Sequence, residues 1–383
     1  MRRLQKTGLV LCLAPFLIAS LAAYAGGTKK TESGAAGTII VEDGMGRMVE
    51  IPENPRHVIC SGPGCLRLMV YLRAQDRVVA VDDMEKKRPM FEARPYALAH
   101  PEFKILPLFG EFRGHDNPEL ILGLEPQPEI IFKTFGRMGF DPDELQEKTG
   151  IPVVALEYGD LTSRREILYE TLRLMGRIMG KAERSAEVIL YLDDAIADLD
   201  RRTAGIPEEK KESCFVGGIA YKGPHGLQST EPAYPPFLFT RANNVAYDPA
   251  ASPGERSQAD VSKEKIVEWD PDYLFVDLAT IQSGDTAGAL YELENDAVYK
   301  TLTAVKEERV FGVLPYNWYT INYGSILADA YFVGTVLYPA RFADIDPRAK
   351  ADEIYTFLVG APVFGEMDES FQSLVFKRIP LKK

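Results

Sequence analysis

Two loops hold most of the side chains in this 383-residue chain that could grip a metal or a flat ligand. The first, residues 220–236, carries Tyr221, His225 and Tyr234 among four prolines. The second, residues 315–324, carries Tyr316, Trp318, Tyr319 and Tyr323. Phenolate oxygen suits ferric iron, and imidazole suits zinc, nickel, copper or iron, so His225, His115, Cys65 and the tyrosines are candidate metal ligands, with His225 first. The four histidines are scattered, and neither a His-x-x-x-His nor a Cys-x-x-Cys pair occurs. That pattern favours one protein ligand completing the shell of a chelated metal over a bare ion held by protein alone.

Enzymatic signatures are sparse. Gly62-Pro63-Gly64 follows an apolar strand like a phosphate turn, but neither Gly-x-Gly-x-x-Gly nor Gly-Lys-Ser/Thr is present. No Gly-x-Ser-x-Gly elbow occurs either. An enzyme of this sequence would be a hydrolase or chelatase using His225 with a carboxylate, and the expectation is that the protein is not an enzyme.

The elements that must position these loops follow from periodicity. Thr38–Val41 and Arg47–Ile51 alternate about Asp43-Gly44 as a hairpin. Arg56–Cys60, Val78–Val81, Glu129–Lys133 and Pro152–Leu156 read as strands, interleaved with helices at 65–73, 117–124 and 141–149. A doubly wound α/β half results. Residues 89–104 read as an irregular insertion. Ser163 to Arg202 lacks turn signals and reads as two helices, opened by a Ser163/Glu166 capping box and divided at Gly180. Beyond it the α/β pattern returns with strands at 213–219, 273–276 and 310–314, and helices at 262–269, 325–337 and 346–358. Asn117-Pro118-Glu119 with Pro128-Glu129-Ile130, and Ser262-Lys263-Glu264 with Pro271-Asp272-Tyr273, form a weak internal repeat. It puts Glu119 and Glu264 in the first turns of equivalent helices.

The ends and the charge bound the setting. Arg2, Arg3 and Lys6 precede the apolar run from Leu9 to Ala23, and Ala23-Tyr24-Ala25 suits signal-peptide cleavage after Ala25. The run is shorter than the ~20 apolar residues of a spanning helix. Export to the periplasm is expected, with 26–37 a flexible tether, 38–160 and 204–345 the two lobes, 161–203 the linker helices, and 346–383 a terminal helix and tail. Without residues 1–25, 41 basic residues face 56 acidic ones, and the net charge moves from −12 to −15. Such a surface excludes nucleic acid as a general partner. Cys60, Cys65 and Cys214 then remain, an odd number in a chain too large to need a disulfide framework.

The leader, the hairpin, the two lobes with their helical spine, and the paired "helix with Glu, then Pro-x-hydrophobic strand" units resemble the helix-linked substrate-binding proteins of ABC importers for iron-siderophores, heme and cobalamin. Gly217-Gly218-Ile219-Ala220-Tyr221 and Tyr316-Asn317-Trp318-Tyr319 are similar to the iron-complex binders among them. The resemblance implies two α/β lobes joined by a long helix, no intrinsic cofactor, and an iron complex as transported ligand, with cobalamin, heme or a bare ion as alternatives. It also implies a monomer that docks on a permease dimer through Glu119 and Glu264. The ligand would lie between the lobes against Arg137, Tyr221, His225, Trp318, Tyr319, Tyr323, Ser61 and Arg113. Guanidinium groups and aromatic faces suit flat, anionic ferric chelates. Core packing competes for Trp318, and plain solvation for Arg113 and Lys133.

Overall fold

The computed structural model describes residues 37–87 and 90–381. The predicted leader and nearly all of the tether lie outside the described residues. A hairpin of β1 (Thr38–Glu42) and β2 (Met48–Pro52) precedes a six-stranded sheet. That sheet contains β3 (Val58–Ser61), β4 (Val78–Asp82), β5 (Leu108–Glu111), β6 (His115–Asp116), β7 (Ile130–Thr134) and β8 (Val153–Leu156) in the order β6-β5-β4-β3-β7-β8. All neighbours are parallel except β5 and β6.

The second sheet is wholly parallel. From β9 (Ser213–Gly217) the chain runs through β10 (Ser229–Thr230), β11 (Asn243–Asn244) and β12 (Ala259–Asp260) to β13 (Tyr273–Asp277) and β14 (Val310–Val313). Its order is β11-β9-β13-β14, while β10 and β12 pair separately. Both sheets begin on an inner strand and build outward to each side. Each therefore has a switch point, between β3 and β7 in the first and between β9 and β13 in the second, and a crevice opens there beyond the strand carboxyl ends.

Burial on both faces explains the near-continuous apolar strands. On the first sheet Ile59, Ile131 and Val153 point to one small core with Phe109, Ile121 and Leu145. Val58, Phe132 and Val154 point to a second core, which continues without interruption to Phe275 and Val310 of the second sheet. The sequence suggests separately cored halves joined by a rod; the observed halves also share an apolar interior. The last helices account for this, since Pro347–Val359 packs on Cys65–Tyr71 and Pro95–Ala99 of the first lobe as well as on Tyr323–Leu337. The tail then lines β14, with backbone bonds from Phe376 N to Gly312 O and from Ile379 N to Val310 O. An edge that would otherwise be open is covered.

The spine is two helices, Arg165–Ile178 and Ala182–Thr203. Gly180 takes a left-handed φ of 63° between them. Gly176 has no room for a side chain, because a Cβ there would lie 2.6 Å from that of Ser185. Arg184 spans the halves, its guanidinium donating to Tyr71 O of the first lobe and to Phe357 O of the terminal helix. The predicted Ser163/Glu166 capping box does not form. Arg164 occupies the cap with no side-chain bond, and Asp160 Oδ1 instead accepts from the N–H groups of Thr162 and Arg164. The stretch expected to be irregular contains a helix at Pro95–Ala99 and a 3-10 turn at Pro101–Ile105; Arg88 and Pro89 lie outside the described residues. Among the described residues no helix is long and apolar enough to cross a membrane.

Candidate functional site

The two switch points face one another across a cavity of about 440 Å³. Pro63 after β3 and Phe135 and Met138 after β7 form one wall, joined by Phe112 and Arg113 after β5. Ala220, Tyr221 and Lys222 after β9, Gln282 beyond β13 and the 317–320 loop after β14 form the other. Among the described residues, Arg113 and Lys222 are the charged members of the lining, and no carboxylate joins them.

The Arg113 loop is held from beneath by a wholly buried ion pair. Lys133 Nζ lies 2.6 Å from Asp116 Oδ2, donates to Gly114 O at 2.9 Å and reaches Ser61 Oγ at 3.2 Å; Ser61 in turn donates to Asp116 Oδ1 at 2.6 Å. Burial pushes the Asp116 carboxyl up, against the pull of Lys133 and Ser61. Lys133 and Ser61 are both 0% exposed. The expectation of a solvated Lys133 is therefore wrong, and Ser61 supports the ligand loop from within without facing the cavity. The physical reason is sheet position: a parallel strand covered on both faces has no solvated side, so a lysine on β7 must be paired inside.

Tyr319 closes the floor between the lobes. Its hydroxyl donates to the Asp82 carboxylate at the end of β4 and accepts from Arg113 N at 3.3 Å. Burial, then the charge of Glu85, pushes Asp82 up to about 7. Trp318 is half-buried, lining the cavity while its ring meets Phe371 edge-on at 6.0 Å, so packing and ligand access coexist there. Tyr221 is 44% exposed, with Lys222 Nζ 5.0 Å from its ring centre.

Three expected contacts sit elsewhere. Tyr323 is fully buried, stacked on Tyr158 at 5.3 Å and donating to its carbonyl at 2.8 Å; it is a core residue of the lobe junction. Arg137 is exposed and does not line the cavity, which its neighbour Met138 does. His225 also stands outside, its Nε2 committed to Tyr221 O at 2.7 Å. Among the described residues no group of three or more His, Cys, Asp or Glu side chains could hold a metal ion. Cys60, Cys65 and Cys214 are buried free thiols. Sequence reasoning did not single out Lys222, Phe112, Phe135 or Asp82 as ligand-site residues, although Phe112, Phe135 and Asp82 occupy or adjoin strand carboxyl ends and Lys222 is next to Tyr221.

Glu119 and Glu264 are exposed in first turns, beyond the capping side chains of Asn117 and Ser262. Asn117 Oδ1 accepts from Glu119 N at 3.0 Å and from Leu120 N at 3.1 Å.

Comparison with known proteins settles the family. The profile of the periplasmic binding protein family matches residues 110–315, more than half of the chain. The chain belongs to this family of binding proteins. An iron-uptake system-binding protein of Bacillus subtilis is 25% identical over 200 residues, 51% of this chain and 57% of that relative, so the match spans little more than half of the relative's length. A periplasmic solute-binding protein of Veillonella parvula superposes with a TM-score of 0.65 at 20% identity, covering 88% of this chain and 97% of that one. A molybdate-binding periplasmic protein of Haemophilus influenzae gives 0.61 at 19% identity, covering 84% and 98%. These likenesses carry the two-lobed α/β fold.

Two outcomes follow from the buried charges. Lys133→Met should cost about 3–5 kcal/mol in urea unfolding because it strands Asp116, and Lys133→Met with Asp116→Leu should recover most of that; a single variant as stable as wild type would contradict the pairing. In the second lobe, burial pushes Glu231 up to about 8 and Asp277 up to about 7. A carboxyl raised above its unfolded value of about 4 favours the fold fully below that pH, and its contribution is lost as pH rises through about 7–8. Melting midpoints should therefore be higher near pH 5 than near pH 8.5, and Glu231→Gln should narrow the gap. A midpoint that rises with pH over this range would contradict it.

Proposed function

We propose that this periplasmic binding protein captures an anionic iron chelate, as a monomer, and delivers it to an ABC permease without altering it. The observation that carries the reading is the cavity itself: Arg113 and Lys222 stand on opposite walls, the charged residues of the described lining, among the faces of Phe112, Phe135, Tyr221 and Trp318. Two cations select for negative charge, and π faces select for flat surfaces. The name of the Bacillus subtilis relative supports iron. Membership of a family of binding proteins supports binding without turnover. A volume of about 440 Å³ sits in the lower half of the range for small-molecule sites and favours a compact chelate over a corrinoid.

Glu119 and Glu264 support the permease contact, since exposed carboxylates on separate lobes let a partner sense lobe spacing. The predicted leader supports export.

Tryptophan-fluorescence titration with ferric catecholate, ferric citrate, a neutral ferric hydroxamate, heme, cobalamin and molybdate tests the ligand. An anionic ferric chelate should bind most tightly, and Arg113→Ala or Lys222→Ala should weaken it about 10- to 100-fold, the loss of one charge-assisted hydrogen bond. Preference for molybdate, or for a neutral complex with both variants unaffected, would overturn the reading. For the partner, Glu119→Ala with Glu264→Ala should reduce ligand-dependent uptake at least tenfold with ligand Kd unchanged. Normal uptake by the double variant would remove these residues from docking.

A further inference from the structure

The wall that presents Trp318 and Tyr319 belongs to the second lobe, but much of what holds its backbone comes from the first. Arg67, on the Cys65–Tyr71 helix that follows β3, is 1% exposed. Its Nη1 donates to Ile321 O at 2.6 Å, and its Nη2 reaches Tyr319 O at 3.3 Å and Trp318 O at 3.4 Å. Nη1 also donates to the Tyr158 hydroxyl, which itself donates to Ile321 O at 2.9 Å. The ring of Tyr96 covers the guanidinium at 5.2 Å, and Nε has no partner among the described residues.

A guanidinium taken out of water is costly unless its donors are used. Here the fork is used on carbonyls and a phenol, three of its acceptors being consecutive or near-consecutive carbonyls of one loop. That loop needs holding. Tyr319 and Thr320 both have left-handed φ values, 48° and 64°, which non-glycine residues adopt only when the surroundings impose them, and threonine is β-branched. Within the loop, Trp318 N donates to Thr320 O at 3.1 Å and Asn322 N to Tyr316 O at 2.8 Å. Asn322 Nδ2 adds a bond to Trp318 O at 3.1 Å. Second-lobe bonds also run from Asn322 Nδ2 to Tyr316 O at 2.9 Å and from Asn317 Nδ2 to Ala220 O at 3.5 Å, while the Tyr319 hydroxyl is anchored by first-lobe groups, Asp82 and Arg113 N.

We infer that Arg67 is a positioning residue for ligand binding: it sets the shape of the 318–321 loop across the lobe junction, so the Trp318–Tyr319 wall is formed only while the lobes are in contact. Separation of the lobes withdraws the fork and lets the two left-handed residues relax, which couples lobe contact to the presence of a binding surface.

Hydrogen–deuterium exchange on the ligand-free protein tests this directly. In Arg67→Lys the charge remains, but a single ammonium cannot reach the carbonyls of residues 318, 319 and 321 together. The amides of Trp318 and Asn322 should exchange at least tenfold faster, while those of β7 and β13 stay within twofold of wild type. Unchanged loop exchange, or equal acceleration in the sheets, would overturn the inference. Should Arg67→Lys fail to fold, Arg67→Gln, which removes the fork without leaving a charge buried, carries the same comparison, and an unchanged loop there is equally contrary. A second arm rests on the ferric-chelate reading: with ferric tris-catecholate as probe, Arg67→Lys should raise Kd at least tenfold. Wild-type protein that ignores the probe would sink that reading while leaving the exchange result to decide the role of Arg67.

Discussion

A parallel sheet that starts on an inner strand and grows to both sides cannot avoid a gap between the two loops that leave its first strands in opposite directions. Two such sheets occur in this chain, and their gaps are turned toward each other. Pro63 and Phe135 flank one, and Ala220 and Gln282 lie beyond the strands of the other. The position of the cavity follows from strand order alone. Its chemistry is supplied by what the loops carry, two cations and several aromatic faces, and its rigidity by what lies beneath them.

Beneath them are charges that the fold had to neutralise. Lys133 with Asp116 and Ser61 fixes the Gly114 carbonyl, hence the turn that presents Arg113. Arg67 does the same for the opposite wall from across the junction. Both are buried cations whose value lies in where they hold backbone, since a buried ion pair seldom adds stability over an apolar replacement. The shared apolar core, the Arg184 bridge and the terminal helix keep the lobes near enough for such contacts to form.

Much of this was legible in the sequence. Strand runs without polar alternation announced covered parallel sheets, Asn117 and Ser262 announced the helix starts, and Gly180 announced the break in the spine. Tyr221, Trp318, Tyr319 and Arg113 were placed in loops that do meet at the cavity. Tyr323 was not separable from them, because the residue that begins a helix differs from a loop residue only in where the chain turns inward. Ser61 and Lys133 were misread for a related reason: their partner Asp116 comes from a two-residue strand with no periodicity to detect. The Ser163 cap does not form because Asp160, three residues earlier, turns the chain by accepting from Thr162 N and Arg164 N, and the helix then starts one residue later, with Arg164 at the cap.

Crystals of the protein grown with a ferric catecholate and measured at the iron absorption edge test the central claim most directly. The anomalous peak should fall inside the cavity, with the chelate's anionic oxygens toward Arg113 and Lys222 and a flat face against Trp318. A peak at the protein surface or at His225, with the cavity between the two sheets left empty, would contradict it.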